Sequence, residues 1–177
     1  TAADTPKVIQ YELDESLTSL NCDYIDLFQI ENLSFVPKEN GSDGIYKTLS
    51  IAKDSGKIRH IGFCTDSLQL ATEAVESGLY ETIQFPFNML VSEETCELVK
   101  LCEQADVGFL AMQPLCGGII SDIPLAYGFF QQFENVVPLW GVQTEEELQQ
   151  ILYFQAHPPI LDEKFKEDEE KIRLFFS

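Results

Sequence analysis

Ile58-Arg59-His60-Ile61-Gly62-Phe63-Cys64, together with the stretch from Asp66 to Gly78, decides how this chain is read. The first seven residues form a short, mostly apolar run of strand length. After them Leu68, Ala71 and Val75 recur at helical spacing, and Gly78 supplies a stop. Asp66 with Gln69 has the form of a capping box at the helix start. The segment is therefore one strand followed by one helix.

The same unit recurs on both sides. Upstream, Asp4-Thr5-Pro6 predicts a helix start, because a capping residue precedes a proline near the first helical position. Ile9, Leu13, Leu17 and Leu20 carry its apolar stripe, and Tyr24 to Ile30 reads as a strand. Pro37 and Asn40-Gly41-Ser42-Asp43-Gly44 mark a loop, and Ile45, Leu49 and Ala52 a helix ending at Gly56. Downstream, Thr82 to Phe87 predicts a strand. Ser92 caps a helix with Leu98, Leu101 and Cys102 on its inner side. Val107 to Met112 is the next strand, followed by Pro114 and Gly117-Gly118. Ile123 to Phe133 is helical and Val136 to Trp140 a strand. Thr144 with Glu147 forms a second capping box, with Leu148, Ile151 and Leu152 turned inward. After Pro158-Pro159, the stretch from Asp162 to Phe176 is a charged helix.

Strands alternating with helices imply parallel pairing through right-handed crossovers, hence an α/β fold. The strands are mostly apolar, as expected where both faces are covered. A barrel and an open doubly wound sheet both satisfy this pattern. Apart from the βα unit itself there is no internal repeat and no linker, so residues 1–177 read as a single domain.

Composition narrows the function classes. The net charge is −19, from 30 acidic and 11 basic residues. Nucleic-acid binding driven by counterion release needs a basic face, and this balance works against one. It works equally against an anionic membrane surface. The sequence contains no apolar run of about 18 residues, so no membrane-spanning helix is expected. The five cysteines, Cys22, Cys64, Cys96, Cys102 and Cys116, include no C-x-x-C pair and no zinc-type spacing. They suggest free thiols in a reducing, cytoplasmic setting, with no metal site. His60 and His157 have no evident Asp or Cys partner and read as structural. Neither a G-x-G-x-x-G fingerprint, a G-x-S-x-G elbow nor a Walker loop is present.

Four phrases carry a family resemblance. Leu17 to Phe28 resembles "SLxxLxxDYIDLY", and Gly56 to Phe63 resembles "GKIRxIGxS". Ile83-Gln84-Phe85-Pro86-Phe87-Asn88 is similar to "xQxxxN", and Phe109 to Gly118 to "xxAMxPLxGG". Their order and spacing match the aldo/keto reductases over nearly the whole chain, most closely the bacterial and archaeal branch with a C-terminal iron–sulfur segment. The resemblance implies a TIM-type (β/α)8 barrel, of which this chain carries about five βα units, strands 4–8. It also implies that the family's catalytic aspartate, tyrosine and lysine lie before Thr1, and that any iron–sulfur cysteines lie after Ser177.

The resemblance implies a nicotinamide-dependent reduction of a carbonyl or conjugated double bond in a small molecule, with NADPH or NADH as cofactor. Glu31 matches the family's histidine at the end of the fourth barrel strand. A buried carboxyl there would have a raised pKa and, when protonated, could donate a hydrogen bond to a carbonyl. A solvated carboxylate in a decayed site is the other reading. Cys64 and Thr65 match the serine and asparagine that hold the nicotinamide carboxamide, and Gln84 matches their glutamine partner. Met112 takes the place of the ring-stacking aromatic. Gln113 and Leu115 fall on the loop that covers the pyrophosphate. Met112 and Leu115 are open to a plain core role as well. Gly141 and Gln143 lie where the adenosine phosphate would bind, but the glutamates after Thr144 would repel a phosphate. A non-catalytic interaction module is the alternative: five strands cannot close a barrel, and free strand edges invite self-association or a partner.

Overall fold

The computed structural model describes residues 4–31 and 33–176. Thr5 caps the first helix, α1 (Pro6–Leu20), and Asn21 closes it in the left-handed conformation. Then follow β1 (Ile25–Glu31), α2 (Ile45–Asp54), β2 (Ile58–Cys64), α3 (Leu68–Ser77), β3 (Thr82–Pro86), α4 (Glu93–Gln104) and β4 (Gly108–Met112). A single 3-10 turn at Cys116–Gly118 leads to α5 (Ile123–Phe130), β5 (Val136–Pro138), α6 (Glu145–Ala156) and α7 (Glu163–Phe176).

The sheet runs β1-β2-β3-β4-β5, in the order of the chain. A doubly wound sheet reverses its strand order at a switch point. No reversal occurs here, so the open-sheet reading is excluded and the barrel-type succession of βα units stands.

Two compact units make up the chain: residues 1–85 with 100–108, and residues 86–99 with 109–177. In the first, the parallel register aligns Ile25 with Ile58, Glu31 with Cys64 and Cys64 with Gln84. Side chains alternate between the faces of a strand. Phe28, Ile30, Ile61, Phe63, Ile83 and Phe85 occupy one face and are buried. Phe63 packs against Tyr80 at 5.3 Å between ring centroids, and the Tyr80 hydroxyl donates to the carbonyl of Pro37 at 2.8 Å. Burial of a ring of this size stabilises by about 1.5–3 kcal/mol. The other face carries Gln29, Glu31, Thr82 and Gln84. The apolar runs therefore conceal an alternation, and this second face becomes polar from Gln29 onward.

Gly62 sits between Gln29 and Thr82 in the register. The Gln29 side-chain amide reaches the Thr82 hydroxyl across it at 3.5 Å. A Cβ on Gly62 would overlap Thr82 Oγ1 and come 2.7 Å from Gln29 Cγ. Only glycine leaves that crossing open.

The second unit is built on phenylalanine. Phe87 lies 5.4 Å from Phe109, 5.3 Å from Phe129 and 5.2 Å from Phe133. Phe165 of α7 packs onto Gly128, where a Cβ would overlap its ring.

Several local expectations need correction. Ser67, not Asp66, caps α3, and its hydroxyl accepts from Leu70 N. Leu20 is exposed, because the stripe of α1 is buried only at Ile9 and Leu13. Strand β5 ends at Pro138, which has no N–H to give the ladder. Leu148 and Leu152 are exposed and α6 buries no residue. An apolar stripe becomes core only where a neighbour covers it. The capping box at Thr144 and Glu147 forms as expected.

Candidate functional site

In the first unit, Glu31, Cys64 and Gln84 form one lateral row across β1, β2 and β3, one residue from each strand. All three line a cavity of about 300 Å³, with Gln29, Leu27 and Leu20 on its other walls. Glu31 and Cys64 are the last residues of their strands, and Gln84, in the middle of β3, is level with them in the register. In βα architectures, ligands bind at these carboxyl ends, where the loops offer unpaired polar groups.

The row brings together a carboxyl group, a thiol and a primary amide. Glu31 is half-buried, not enclosed in an apolar shell. Cys64 is buried, and burial pushes its thiol up, as does the charge of Glu31 and then that of Asp66. It therefore stays a neutral thiol at physiological pH, a weak donor and not a nucleophile. Thr65, expected beside them, is buried, but its side chain serves the fold: Oγ1 accepts from Ser67 N at 3.1 Å. Its backbone N donates to the carbonyl of Gln84 at 3.1 Å, tying the ends of β2 and β3 together. Thr65 does not line the cavity.

In the second unit, Gln113, Leu115, Gly141 and Gln143 line one cavity of about 640 Å³. Trp140, Gly117 and Glu147 share its wall. Met112, predicted among the same group, is not on that wall. The turn bounding one side is conformationally strained. Gln113 and Cys116 have φ of 57° and 49°, beside Gly117 and Gly118 at 66° and 93°. Non-glycine residues in this region persist only where their surroundings hold them. Here the holder is Asn88, whose amide donates to the Gln113 carbonyl at 3.1 Å while its own oxygen accepts from Leu90 N. Asn88 was legible in the sequence only as the end of a phrase. Trp140 is set by stacking on Tyr127, with ring centroids 6.0 Å apart and planes nearly parallel.

Opposite this turn, the start of α6 is already occupied. Glu147 Oε2 accepts from Gln143 N at 2.7 Å and from Thr144 N at 3.4 Å, and Thr144 Oγ1 accepts from Glu147 N at 3.2 Å.

His60 has a partner after all: its Nδ1 lies 3.4 Å from the Glu81 carboxylate, on the solvent side. His157 stacks on Tyr153 at 4.5 Å. Among the described residues, no group of three or more His, Cys, Asp or Glu could hold a metal ion, and no helix is long and apolar enough to cross a membrane.

Comparison with known proteins meets this geometry. The model of the aldo/keto reductase family matches residues 2–127. The NADH-specific methylglyoxal reductase of Escherichia coli is 27% identical over 117 residues, covering 66% of this chain and 36% of that protein. An aldo-keto reductase of Babesia bovis is 30% identical over 149 residues, covering 65% of this chain and 51% of its own. The chain thus spans between about a third and a half of the length of these curated relatives. In fold, it is similar to the holo form of an aldo-keto reductase from Bacillus halodurans. The TM-score is 0.75 at 16% identity, over 96% of this chain and 68% of that one.

Proposed function

The chain belongs to the aldo/keto reductase family, and on that premise we propose that it is part of a nicotinamide-dependent oxidoreductase. Its substrate in this reading is a small molecule with a carbonyl or a carbon–carbon double bond conjugated to one. The observation that carries the reading is the row of Glu31, Cys64 and Gln84 on the wall of one cavity, level with the carboxyl ends of β1 and β2.

The residues fit the cofactor's chemistry. The Gln84 amide offers both a donor and an acceptor, the pair that a carboxamide needs, with Cys64 beside it. Thr65 supports this end through the backbone. In the second unit, Gln113, Leu115, Gly141 and Gln143 line a cavity that offers room for part of a dinucleotide, and Met112 precedes them in the chain. When bound, a reduced nicotinamide supplies the hydride that such a reduction adds to carbon. The reduction also takes up one proton. Glu31 is the carboxyl group of the cavity wall suited to hold that proton on an oxygen and to hydrogen-bond the substrate carbonyl.

A titration of the purified protein with NADH and NADPH tests the reading. Trp140 is the sole tryptophan and lines the larger cavity, so its fluorescence reports occupancy. Quenching by at least one of the two is expected. No response to either would end the proposal. A cytoplasmic location belongs to the same reading and is supported by five free cysteines.

A further inference from the structure

Two rows of side chains cross the same face of the sheet in the first unit. One holds Gln29, Gly62 and Thr82. Two positions further along the same strands come Glu31, Cys64 and Gln84. Side chains two residues apart on a strand are neighbours on one face, about 6–7 Å from Cα to Cα. The first row is therefore the floor beneath the second. Its middle position carries no side chain, and Gln29 fills the gap. The Gln29 amide nitrogen reaches over Gly62 to Thr82 Oγ1 at 3.5 Å, joining β1 to β3 past the strand between them. A Cβ on Gly62 would come 3.0 Å from that nitrogen and would overlap Thr82 Oγ1. Gln29 also lines the cavity that Glu31, Cys64 and Gln84 line.

A glutamine serves a carboxamide well only when its amide is held in one orientation, donor and acceptor both correctly placed. Binding is tighter when that ordering is complete before the ligand arrives. We propose that Gln29 is a positioning residue for Gln84. Stretched over Gly62 and anchored on Thr82, its amide closes the floor between Glu31 and Gln84. It thereby fixes the Gln84 amide for the nicotinamide carboxamide in advance. The inference rests on the cofactor reading above and adds to it a residue outside the row itself.

The test is a double-mutant cycle read in binding, with no turnover required. Dissociation constants for NADH and NADPH come from the fluorescence of the reduced nicotinamide itself. Denaturant unfolding of every variant ensures that the constants refer to folded protein. Gln84→Ala is expected to weaken binding by about tenfold, the loss of one or two hydrogen bonds. Gln29→Met keeps the length of the side chain but not its amide, and should weaken binding by about threefold to tenfold. Thr82→Val removes the anchor and should do the same, while Thr82→Ser, which keeps the hydroxyl, should bind close to wild type. The double variant Gln29→Met/Gln84→Ala should bind no more weakly than Gln84→Ala alone, because nothing is left to position. Losses that multiply in the double variant would mean that Gln29 acts independently of Gln84, and would overturn the inference. So would a Gln29→Met or a Gln84→Ala variant that binds like wild type. A purely structural Gln29 would lower the unfolding midpoint and leave these constants unchanged. Wild-type protein that binds neither dinucleotide would overturn the cofactor reading, and the inference with it.

Discussion

The side-chain amide of Asn88 donates to the backbone carbonyl of Gln113 at 3.1 Å, and Gln113 is held there with φ of 57°. Asn88 is buried, and its oxygen is used by Leu90 N, so both ends of the amide are committed. Asn88→Ala leaves a carbonyl without its partner and releases the strained turn. A loss of about 1–3 kcal/mol in unfolding free energy is expected, read from denaturant titration. Dinucleotide affinity should fall with it, because the turn forms one wall of the larger cavity. Asn88→Asp, which cannot donate at neutral pH, should behave like the alanine variant.

Gly62 makes a second, sharper prediction. Gly62→Ala forces a methyl group into Thr82 Oγ1 and toward Gln29 Cγ. Overpacking at such a point costs about 1–3 kcal/mol. Thr82→Ala removes the nearest atom, so the double variant Gly62→Ala/Thr82→Ala should recover part of that loss. A double-mutant cycle measured by thermal unfolding gives the coupling, and strict additivity would contradict the contact.

Glu81 predicts a pH dependence. Burial works against its charge, but the Ile61 N–H, Lys53 and His60 together outweigh burial and hold its pKa below the ordinary value. A carboxylate with a depressed folded pKa stabilises the fold above its unfolded pKa, and that contribution is lost as pH falls through the folded one. Stability should therefore drop in Glu81's share below about pH 4, the range of an ordinary glutamate and under. The Glu81→Gln variant should show a flatter acid limb in unfolding experiments. The effect is small, since the carboxylate is partly solvated.

The thiols should separate by reactivity. Cys22 is exposed, while Cys64 and Cys102 are buried. Burial pushes the Cys102 thiol up to about 12, and burial with the charge of Glu31 raises that of Cys64. Iodoacetamide at pH 7.5 should alkylate Cys22 in the native protein, and Cys64 and Cys102 only after denaturation, as mass spectrometry of peptides would show. Glu31→Gln should lower the pKa of Cys64 by removing a neighbouring charge. Rapid native alkylation of Cys64 would mean that the row is not packed as described.

Glu31 itself is tested through activity. On the proposed role, Glu31→Gln keeps the shape of the cavity wall but holds no transferable proton. The reduction rate should fall by about 10²-fold or more with dinucleotide affinity unchanged. An equal fall in both would point to a binding role instead.

The alternation of strands and helices, the Thr5 cap, the Gly78 stop and the Thr144–Glu147 box were fixed by residues a few positions apart, and each formed where it was read. Such signals are local: a cap needs an amide three residues away, and a helix stripe needs only its own period. What tertiary structure alone decided is which positions meet across strands. The register that aligns Glu31, Cys64 and Gln84, the crossing of Gln29 over Gly62 and the bond from Asn88 to Gln113 join residues that are well separated in the chain. A slip of one residue in strand pairing would turn the strand side chains among them to the opposite face, and no local pattern guards against it. Burial followed the same rule: Leu20, Leu148 and Leu152 have the spacing of core residues, but a stripe is buried only where another element packs over it.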